Sequence, residues 1–422
     1  MRLSHLCIIF LIGLTSCVSV DTGSQLSKSE SIIQSEDPSK PPAWYRNKLE
    51  ELVNINSGTM NGDGNERVRK YLTPLFEALG FSSHIVDSGM GPGYDGKQVM
   101  HKVLVFDFPN AKPDLIFIGH TDTVFEKSHK FQNFIDQGNI WRGPGTTDMK
   151  AGILLAYHIL SQIKNRDLLK RVRIALNDDE ETGSKFSGPI LKAYADQAKY
   201  GLIFESVSLA DVATSHSGII WKEMTVFGVE SHAGVAPLEG VNACLENSYK
   251  MIELYKYNNY PRGLNLNAGV ISTYPAAKPN TICGEIKTTW DIRYIYQEDR
   301  KMINEKFEEI TAKSFAPNPS KKLVRPAILA EVHSAPGMSP ERSKFLLDIF
   351  KASAKKLNLD VNAQHKGGVD AYGIMDSSLH LITGIGVYGN GMHSDAEFMR
   401  ADLYMKKFVL VHAFVESLLN EY

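Results

Sequence analysis

Asp114-Leu-Ile-Phe-Ile-Gly119 is a short β-rich run, and the polar stretch His120-Thr-Asp122 follows it directly. Two more such runs lie further along the chain, Arg171-Val-Arg-Ile-Ala-Leu176 and residues 200–204. A strongly apolar segment with helical spacing, residues 151–163, separates the first two. Strands that alternate with helices predict an α/β fold with a mostly parallel sheet flanked by helices. Ligands of such sheets bind at the carboxyl ends of the strands, so polar residues that follow these runs are candidates for a functional site.

The pattern changes in the middle of the chain and then returns. We expect a partly alternating strand, a helix, two strands and a charged helix at 219–229, 241–257, 268–272, 285–294 and 298–314. This order predicts a separate, smaller α+β unit. The α/β pattern resumes as a helix, a strand and a helix at 340–357, 381–387 and 404–419. We therefore predict one discontinuous α/β domain, residues 43–217 and 325–422, interrupted by an inserted domain, residues 218–324.

The composition excludes several classes of protein. The chain has 422 residues, of which 48 are acidic and 46 basic, for a formal net charge of −2. A bulk charge this close to zero excludes a strongly basic nucleic-acid binder. Hydrophobic residues make up 43% of the chain, which excludes a wholly disordered protein. The four cysteines are too few for disulfides to hold the whole fold together.

The N-terminus has the layout of an export signal. Arg2 supplies a positive start, residues 6–14 form a short apolar stretch, and Leu14-Thr15-Ser16-Cys17 closes the segment. The closing tetrapeptide resembles the lipobox of bacterial lipoproteins, which implies removal of residues 1–16 as a signal peptide and attachment of a lipid to Cys17. The alternative is an ordinary secretory signal in which Cys17 is incidental.

Residues 17–42 are rich in serine and poor in large apolar side chains, so we expect a flexible linker between the lipid and the folded chain. We expect an exported protein anchored to a bacterial membrane. The outer membrane and periplasm are favoured because Val18 stands where an inner-membrane retention signal has aspartate. In an oxidising compartment Cys244 and Cys283 could pair. We expect instead that each is a small buried apolar residue, since a separation of 39 residues gives no sign of pairing.

Five polar positions follow strand-like runs or lie in glycine-rich loops of the α/β pattern. They are His120, Asp148, Glu181, Glu205 and His393. Taken singly, each has a plainer explanation, such as a helix N-cap for Asp148 or a solvated loop for the acidic run at 178–181. Taken together, two imidazoles and three carboxylates without a thiolate suit Zn²⁺ or a similar divalent ion in a catalytic site with open positions.

These motifs, in this order, resemble the dinuclear zinc peptidases. That family includes glutamate carboxypeptidases of the carboxypeptidase G type, aminoacylases, acetylornithine deacetylases and succinyl-diaminopimelate desuccinylases. The resemblance extends from about residue 43 to the C-terminus and is strongest to the glutamate carboxypeptidase branch. It implies that Asp148 bridges two Zn²⁺ ions in each subunit, although other divalent ions could serve. It also implies that His120 and Glu205 complete one metal site, and that Glu181 and His393 complete the other.

The same resemblance assigns roles around the metals. It implies that Asp122 orients His120, that Glu180 is the general base, and that the peptide between Asp148 and Met149 is cis. In the implied reaction a metal-activated water attacks an amide carbonyl, and Glu180 carries the proton of that water to the leaving amine.

The predicted inserted domain resembles the family's lid and dimerisation domain. Ser231-His232-Ala-Gly234 matches a motif whose histidine is expected to reach the active site of the partner subunit, which implies a homodimer. Asn280 and Arg293 resemble the family's substrate-contacting pair, and Arg325 resembles a further carboxylate-binding arginine.

One loop departs from the family's pattern. The family's Gly-Gly-Gly-Thr-Asp reads here Lys366-Gly367-Gly368-Val369-Asp370. Gly368 is a candidate substrate-binding residue, and the changes beside it leave the identity of the substrate open.

We predict a lipid-anchored zinc carboxypeptidase that cleaves the amide bond next to a free carboxylate, with glutamate or another acidic residue at the C-terminus. Two alternatives stay open. One is a deacylase of N-acyl amino acids or a dipeptidase of the same family, and the other is a surface binding protein that has lost catalysis. The expected partners are a small peptide or N-acyl amino acid and a second copy of the chain. No nucleic acid is expected, and membrane contact is expected only through the lipid.

Overall fold

The computed structural model describes residues 39–207, 209–275, 277–366, 374–375 and 377–421. The predicted export signal, Cys17 and nearly all of the predicted linker, residues 17–42, lie outside the described residues, and so does Gly368. None of the described helices combines the length and the hydropathy that crossing a membrane requires.

Helices and strands alternate along much of the described chain. The helices are α1 (Ala43–Val53), α2 (Gly62–Glu77), α3 (Lys150–Gln162), α4 (Gly188–Ala195), α5 (Ala243–Tyr255), α6 (Gln297–Ala312), α7 (Lys344–Lys356) and α8 (Tyr404–Glu421). The strands are β1 (Ser82–Pro92), β2 (Gln98–Asp107), β3 (Leu115–His120), β4 (Ile135–Asp136), β5 (Ile140–Arg142), β6 (Val172–Asn177), β7 (Tyr200–Ile203), β8 (Val212–His216), β9 (Gly218–Phe227), β10 (Asn265–Thr273), β11 (Glu285–Tyr294), β12 (Ile328–Ala335), β13 (Ala363–Lys366), β14 (His380–Thr383), β15 (Gly389–Asn390) and β16 (Phe398–Arg400).

The largest sheet has the strand order β1-β2-β6-β3-β7-β14-β8-β13. Its centre, β6-β3-β7-β14, is parallel, whereas β1 and β2 form an antiparallel hairpin at one edge. Both faces are covered, because Phe117 of β3 lies in one core with α3 and α8, while Ile116 and Ile118 lie in another with Leu191 of α4. This explains the unbroken apolar run of β3 and confirms the predicted α/β fold with a mostly parallel sheet.

A second sheet has the order β10-β11-β9-β12 and is antiparallel throughout. Alternate residues of β11, among them Trp290 and Ile292, face a separate core shared with Leu254 of α5 and Phe307 of α6. Strand β12 belongs to this sheet but lies beyond residue 324, the predicted end of the inserted domain. Its side chains are mostly exposed, so the run lacks the apolar alternation that marks a strand in sequence.

A third, small sheet has the order β15-β16-β5-β4. Strand β16 pairs antiparallel with β5, and Phe398 lies opposite Arg142. This pairing places the loop that ends at Glu397 beside the loop that follows β5. The two glycine-rich segments that carry His393 and Asp148 are therefore neighbours.

Two expectations from the sequence are wrong. The strand expected over 381–387 ends at Thr383, because Gly384 has a φ of +75° and turns the chain out of the sheet. Cys244 and Cys283, expected to be separate buried residues, form a disulfide with Cα atoms 5.7 Å apart. The backbone N–H of Ala243, the first residue of α5, donates to the carbonyl of Cys283, just before β11. This contact between the start of α5 and the loop before β11 brings the two cysteines together, which their spacing alone could not show.

Candidate metal centre

His120 is the last residue of β3 and is buried at the carboxyl edge of the large sheet. Strands β6 and β7 run parallel to β3 on either side, so the segments that follow them open at the same edge. Glu180 and Glu181 lie in a short 3₁₀ turn after β6, and Glu205 follows β7. The polar residues after these strands therefore meet where an α/β sheet binds its ligands.

Asp148 lies between two groups of side chains. Its Oδ1 atom is 3.0 Å from Nε2 of His120, and that nitrogen is 3.1 Å from Oε1 of Glu205. Its Oδ2 atom is 3.2 Å from Nε2 of His393, and that nitrogen is 3.1 Å from Oε2 of Glu181. The five candidate ligands thus form two groups that share one carboxylate. This is the grouping that the resemblance implies; that they hold metal ions stays a prediction.

The donor set fits divalent cations. Two imidazole nitrogens and three carboxylates without a thiolate are ligands that suit Zn²⁺ and similar ions. Donor atoms bound to a tetrahedral zinc ion lie about 3.3–3.6 Å apart, close to the 3.0–3.2 Å separations within each group. Donor atoms of His120, Asp148 and Glu181 also lie within 4.8 Å of one another, so the two groups adjoin. The peptide between Asp148 and Met149 is cis, which confirms that expectation.

The buried carboxylates of the cluster favour the binding of positive charge beside them. Burial and the neighbouring charge of Asp148 raise the pKa of Glu181 to about 8. Burial also raises the pKa of Glu180 well above the usual carboxyl range. Hydrogen bonds to Asp148 and Glu181 raise the pKa of His393 to about 11. Crowded, buried carboxylates gain protons or bind cations, and divalent cations at this position would relieve their mutual repulsion.

Asp122 connects the first ligand to the two glutamates. Its Oδ1 atom lies 3.3 Å from Nδ1 of His120. Its carboxylate also accepts hydrogen bonds from the backbone N–H groups of Glu180 (3.3 Å) and Glu181 (3.2 Å), and from the hydroxyl of Thr59 (2.7 Å). An acceptor at Nδ1 holds the imidazole in the tautomer that presents the lone pair of Nε2 to a ligand. The geometry therefore suits the orienting role predicted for Asp122.

The four consecutive acidic residues at 178–181 have two different roles: the first two stabilise the fold, and the last two lie at the candidate metal centre. Asp178 forms a buried ion pair with Arg69 and lies 3.1 Å from Nδ1 of His101. Asp179 accepts a hydrogen bond from the backbone N–H of Phe186 at 2.8 Å and so holds the loop that leads to α4. The solvated loop considered for this run is therefore wrong for the first two residues, which are buried and paired.

Glu397 is a buried carboxylate that we did not assign from the sequence. Its Oε1 atom accepts hydrogen bonds from the backbone N–H groups of Thr147 (2.9 Å) and Asp148 (3.1 Å). Burial raises its pKa to about 7. The only sign of it in the sequence is an acid at the end of the glycine-rich stretch that holds His393.

His232 and Asn280 lie side by side on two loops of the second sheet. The backbone N–H of Ala233 donates to the carbonyl of Asn280 at 2.9 Å, and His232 forms an isolated β-bridge with Thr281. The structure therefore brings these two predicted residues together with each other.

The two predicted arginines occupy other positions on the second sheet. Arg293 of β11 pairs with Asp291, with 2.6 Å between Nε and Oδ1. Arg325 is exposed, and its guanidinium carbon lies 4.1 Å from the centre of the Phe227 ring. Contact of either arginine with substrate stays a prediction.

Comparison with known proteins identifies the family. Residues 116–417, which include all five candidate ligands, match the model of peptidase family M20/M25/M40. The chain belongs to this family. It is 28% identical over 363 residues to carboxypeptidase G2 of Pseudomonas sp. (strain RS-16), a match that covers 83% of this chain and 83% of that protein. It is also 28% identical over 172 residues to succinyl-diaminopimelate desuccinylase of Rickettsia rickettsii (strain Sheila Smith), over 39% of this chain and 43% of that protein.

A solved structure of the aminopeptidase PepT from Bacillus cereus ATCC 10987 shares the fold. The TM-score is 0.70 at 18% sequence identity, over 89% of this chain and 98% of that chain. Membership of the peptidase family M20/M25/M40 makes the protein a metal-dependent hydrolase with metallopeptidase or deacylase activity. The family and the relative named as a carboxypeptidase point to action as an exopeptidase.

Proposed function

We propose that this family member is a carboxypeptidase that holds two Zn²⁺ ions per subunit and hydrolyses the amide bond next to a free carboxylate of a small peptide. The observation that carries the proposal is the placement of Asp148, whose two oxygens face the His120 group and the His393 group separately. A carboxylate in this position suits a bridge between two cations, and paired cations are a recurring device for hydrolysis.

Ions held by these ligands would polarise the amide carbonyl and lower the pKa of the attacking water. Glu180 is the residue placed to move the proton. Its Oε2 atom lies 4.0 Å from Nε2 of His120, so the side chain borders the ligand groups. Burial raises its pKa, which brings the carboxylate closer to the pH at which it must both accept and release a proton. We assign it the transfer of the proton from water to the leaving amine.

His232 suits the stabilisation of negative charge on the carbonyl oxygen. Its Nδ1 atom accepts hydrogen bonds from the backbone N–H groups of Gly234 (3.1 Å) and Val235 (3.2 Å). The proton of the neutral ring therefore lies on Nε2, which makes that nitrogen a donor. A positioned N–H donor stabilises the charge that develops on the carbonyl oxygen in the transition state.

We propose a homodimer in which His232 of one copy completes the site of the other. Helix α5 exposes one apolar face, formed by Leu245, Tyr249, Ile252 and Tyr255. Beside it, the edge strand β10 exposes Val270 and Ile271. Exposed apolar faces next to a sheet edge favour association. Ile252→Asp should therefore convert the dimer to a monomer in sedimentation velocity. Val409→Asp, at an exposed apolar position on α8, should leave the dimer intact.

The proposed substrate carries a carboxylate that an arginine can hold. Arg293 and the exposed Arg325 offer planar guanidinium groups, which bind a carboxylate with two hydrogen bonds. The resemblance to the glutamate carboxypeptidase branch favours a peptide that ends in glutamate or another acidic residue. The relative named as a desuccinylase favours the alternative, hydrolysis of an N-acyl amino acid.

We also propose export and lipid anchoring through Cys17, with the outer membrane and periplasm as the location. The disulfide between Cys244 and Cys283 supports export, because disulfides persist in oxidising compartments and are rare in the cytosol. Cys17→Ser should move the protein from the membrane fraction to the soluble fraction of fractionated cells. Wild-type protein found only in the soluble fraction would instead favour the ordinary secretory signal.

The purified protein tests the proposed activity directly. The substrate panel contains dipeptides with C-terminal glutamate, aspartate or alanine, the same dipeptides amidated at the C-terminus, and N-acyl amino acids. Hydrolysis should require the free carboxylate, disappear with 1,10-phenanthroline and return with Zn²⁺. Equal cleavage of amidated dipeptides would contradict carboxypeptidase action, and preference for N-acyl amino acids would favour the deacylase. Protein that holds both metals and hydrolyses none of the panel would favour the binding protein.

A further inference from the structure

We propose that the disulfide between Cys244 and Cys283 positions His232 for the reaction, by tying the loop that carries His232 to the loop that carries Asn280. The inference rests on the proposed function of His232. Residues 228–242, the histidine loop, connect β9 to α5, and residues 277–284, the asparagine loop, precede β11. The disulfide joins the first turn of α5 to the residue pair that precedes β11.

The two loops are joined at their base by backbone as well as by sulfur. The N–H of Gly228 donates to the carbonyl of Gly284 at 2.7 Å, and the N–H of Ala243 donates to the carbonyl of Cys283 at 2.9 Å. A Cβ atom on Gly228 would lie 2.8 Å from the carbonyl oxygen of Cys283, so the two loops approach here as closely as glycine allows. The disulfide therefore links two loops whose backbones are already joined by hydrogen bonds at this end. We call the series of hydrogen bonds between the two loops the ladder, and the end at the disulfide its base.

Above this base the ladder continues to the predicted functional residues. The N–H of Ile282 donates to the carbonyl of Ser231 at 2.9 Å, and the N–H of Ala233 donates to the carbonyl of Asn280 at 2.9 Å. His232 lies between these two hydrogen bonds. The position of His232 relative to the asparagine loop is therefore set by the same series of backbone hydrogen bonds that begins beside the disulfide.

The outer part of the histidine loop is exposed to solvent. His232, Gly234 and Val235 are exposed, and hydrogen bonds of exposed loops open easily. A covalent link at the base limits how far the two loops can separate when the hydrogen bonds between them break. Since a donor for developing charge acts only when it is correctly placed, loss of the link should cost turnover and leave the fold of the large sheet intact.

A double-mutant cycle tests this role in the full-length protein. The first variant combines Cys244→Ser with Cys283→Ser, and the second carries His232→Ala. We expect the cysteine substitutions to lower kcat/KM about tenfold with unchanged metal content, as misplaced catalytic groups do. In the His232→Ala background the same substitutions should lower kcat/KM less than twofold. Equal losses in both backgrounds would overturn the proposal, because a merely structural disulfide would act independently of His232.

Hydrogen exchange tests the same claim without using activity. The amides of Ala233 and Ile282 should exchange at least tenfold faster in the cysteine variant, while those of β11 that pair with β9 keep their rates. Unchanged protection of Ala233 and Ile282 would overturn the positioning role. If the wild-type protein hydrolyses no substrate of the panel, the proposed function fails, and the exchange rates alone decide whether the disulfide orders the histidine loop.

Discussion

The carboxylate of Glu397 accepts a hydrogen bond from the backbone N–H of Asp148, with 3.1 Å between Oε1 and N. The same oxygen accepts the N–H of Thr147 at 2.9 Å. Both donors are buried, and a buried N–H that loses its acceptor costs about 1–3 kcal/mol. Glu397 therefore fixes the backbone of the residue that joins the two ligand groups, although it contributes no atom to either group.

We predict that Glu397→Ala lowers zinc affinity about 10–100-fold, the usual cost of removing a group that supports metal ligands. Glu397→Gln is the matched control, because the carbonyl oxygen of glutamine can still accept both hydrogen bonds. It should retain most of the affinity. Competition with a chromophoric chelator measures affinity, and calorimetry measures Tm. Wild-type affinity in the alanine variant would mean that Asp148 is held by other contacts.

Glu180→Gln should keep both metals and lose about 10²–10⁴-fold in kcat, since the amide cannot accept the proton of the attacking water. Glu181→Gln, one residue away, should behave differently, because Oε2 of Glu181 lies in the His393 group and its loss should lower metal content. Elemental analysis and steady-state kinetics on the same samples separate the two effects. Unchanged kcat in the Glu180 variant would remove Glu180 from the role of base.

The division of the ligands into two groups predicts a pattern of metal loss. His120→Ala and His393→Ala should each lower zinc content from two ions to about one per chain. Asp148→Asn should reduce both, because its two oxygens face the two groups separately. His84→Ala, at an exposed position on β1, is the control for loss of an imidazole. Elemental analysis after dialysis gives the count, and full occupancy in the His393 variant would exclude that residue as a ligand.

The half of the site that follows parallel strands could be predicted from the sequence. His120, Glu181 and Glu205 each come after an apolar run, and the carboxyl ends of parallel strands share an edge of the sheet. His393 was a candidate because it lies in a glycine-rich loop, but only the resemblance grouped it with Asp148 and Glu181. The pairing that brings its loop beside that of Asp148 is between β16 and β5. These are strands of three residues, too short to show a periodic pattern.

Other features depend on contacts that a single sequence does not display. Four acidic side chains stand in a row at 178–181, yet Asp178 and Asp179 are paired within the fold while Glu180 and Glu181 face the site. Asp178 is held by Arg69, and Asp179 is held by the turn that leads to α4. Nothing in the acidic run itself indicates either contact. The disulfide was missed for the same reason, since a contact between the start of α5 and the loop before β11, and not spacing, brings the cysteines together.

His158 of α3 is buried beneath α8. Its Nδ1 atom lies 2.9 Å from the hydroxyl oxygen of Tyr404, and its ring stacks 4.0 Å from that of Phe408. Burial, aided by the nearby charge of His412, lowers the pKa of His158 to about 3. The folded protein thus keeps this imidazole neutral at pH values where the unfolded chain, with an ordinary histidine pKa of about 6.5, binds a proton.

This difference predicts a loss of stability in acid. Between the two pKa values the unfolded state binds more protons, so the free energy of unfolding falls as the pH decreases from about 6.5 towards 3. Between pH 7 and pH 5 this one group should account for about 2 kcal/mol. His158→Gln removes the titration, so its loss of stability over that interval should be smaller by about this amount, measured by urea unfolding at both pH values. The metal ligands contribute to the pH dependence of both proteins and cancel in the comparison. Equal losses in the variant and the wild type would show that His158 takes up its proton without unfolding.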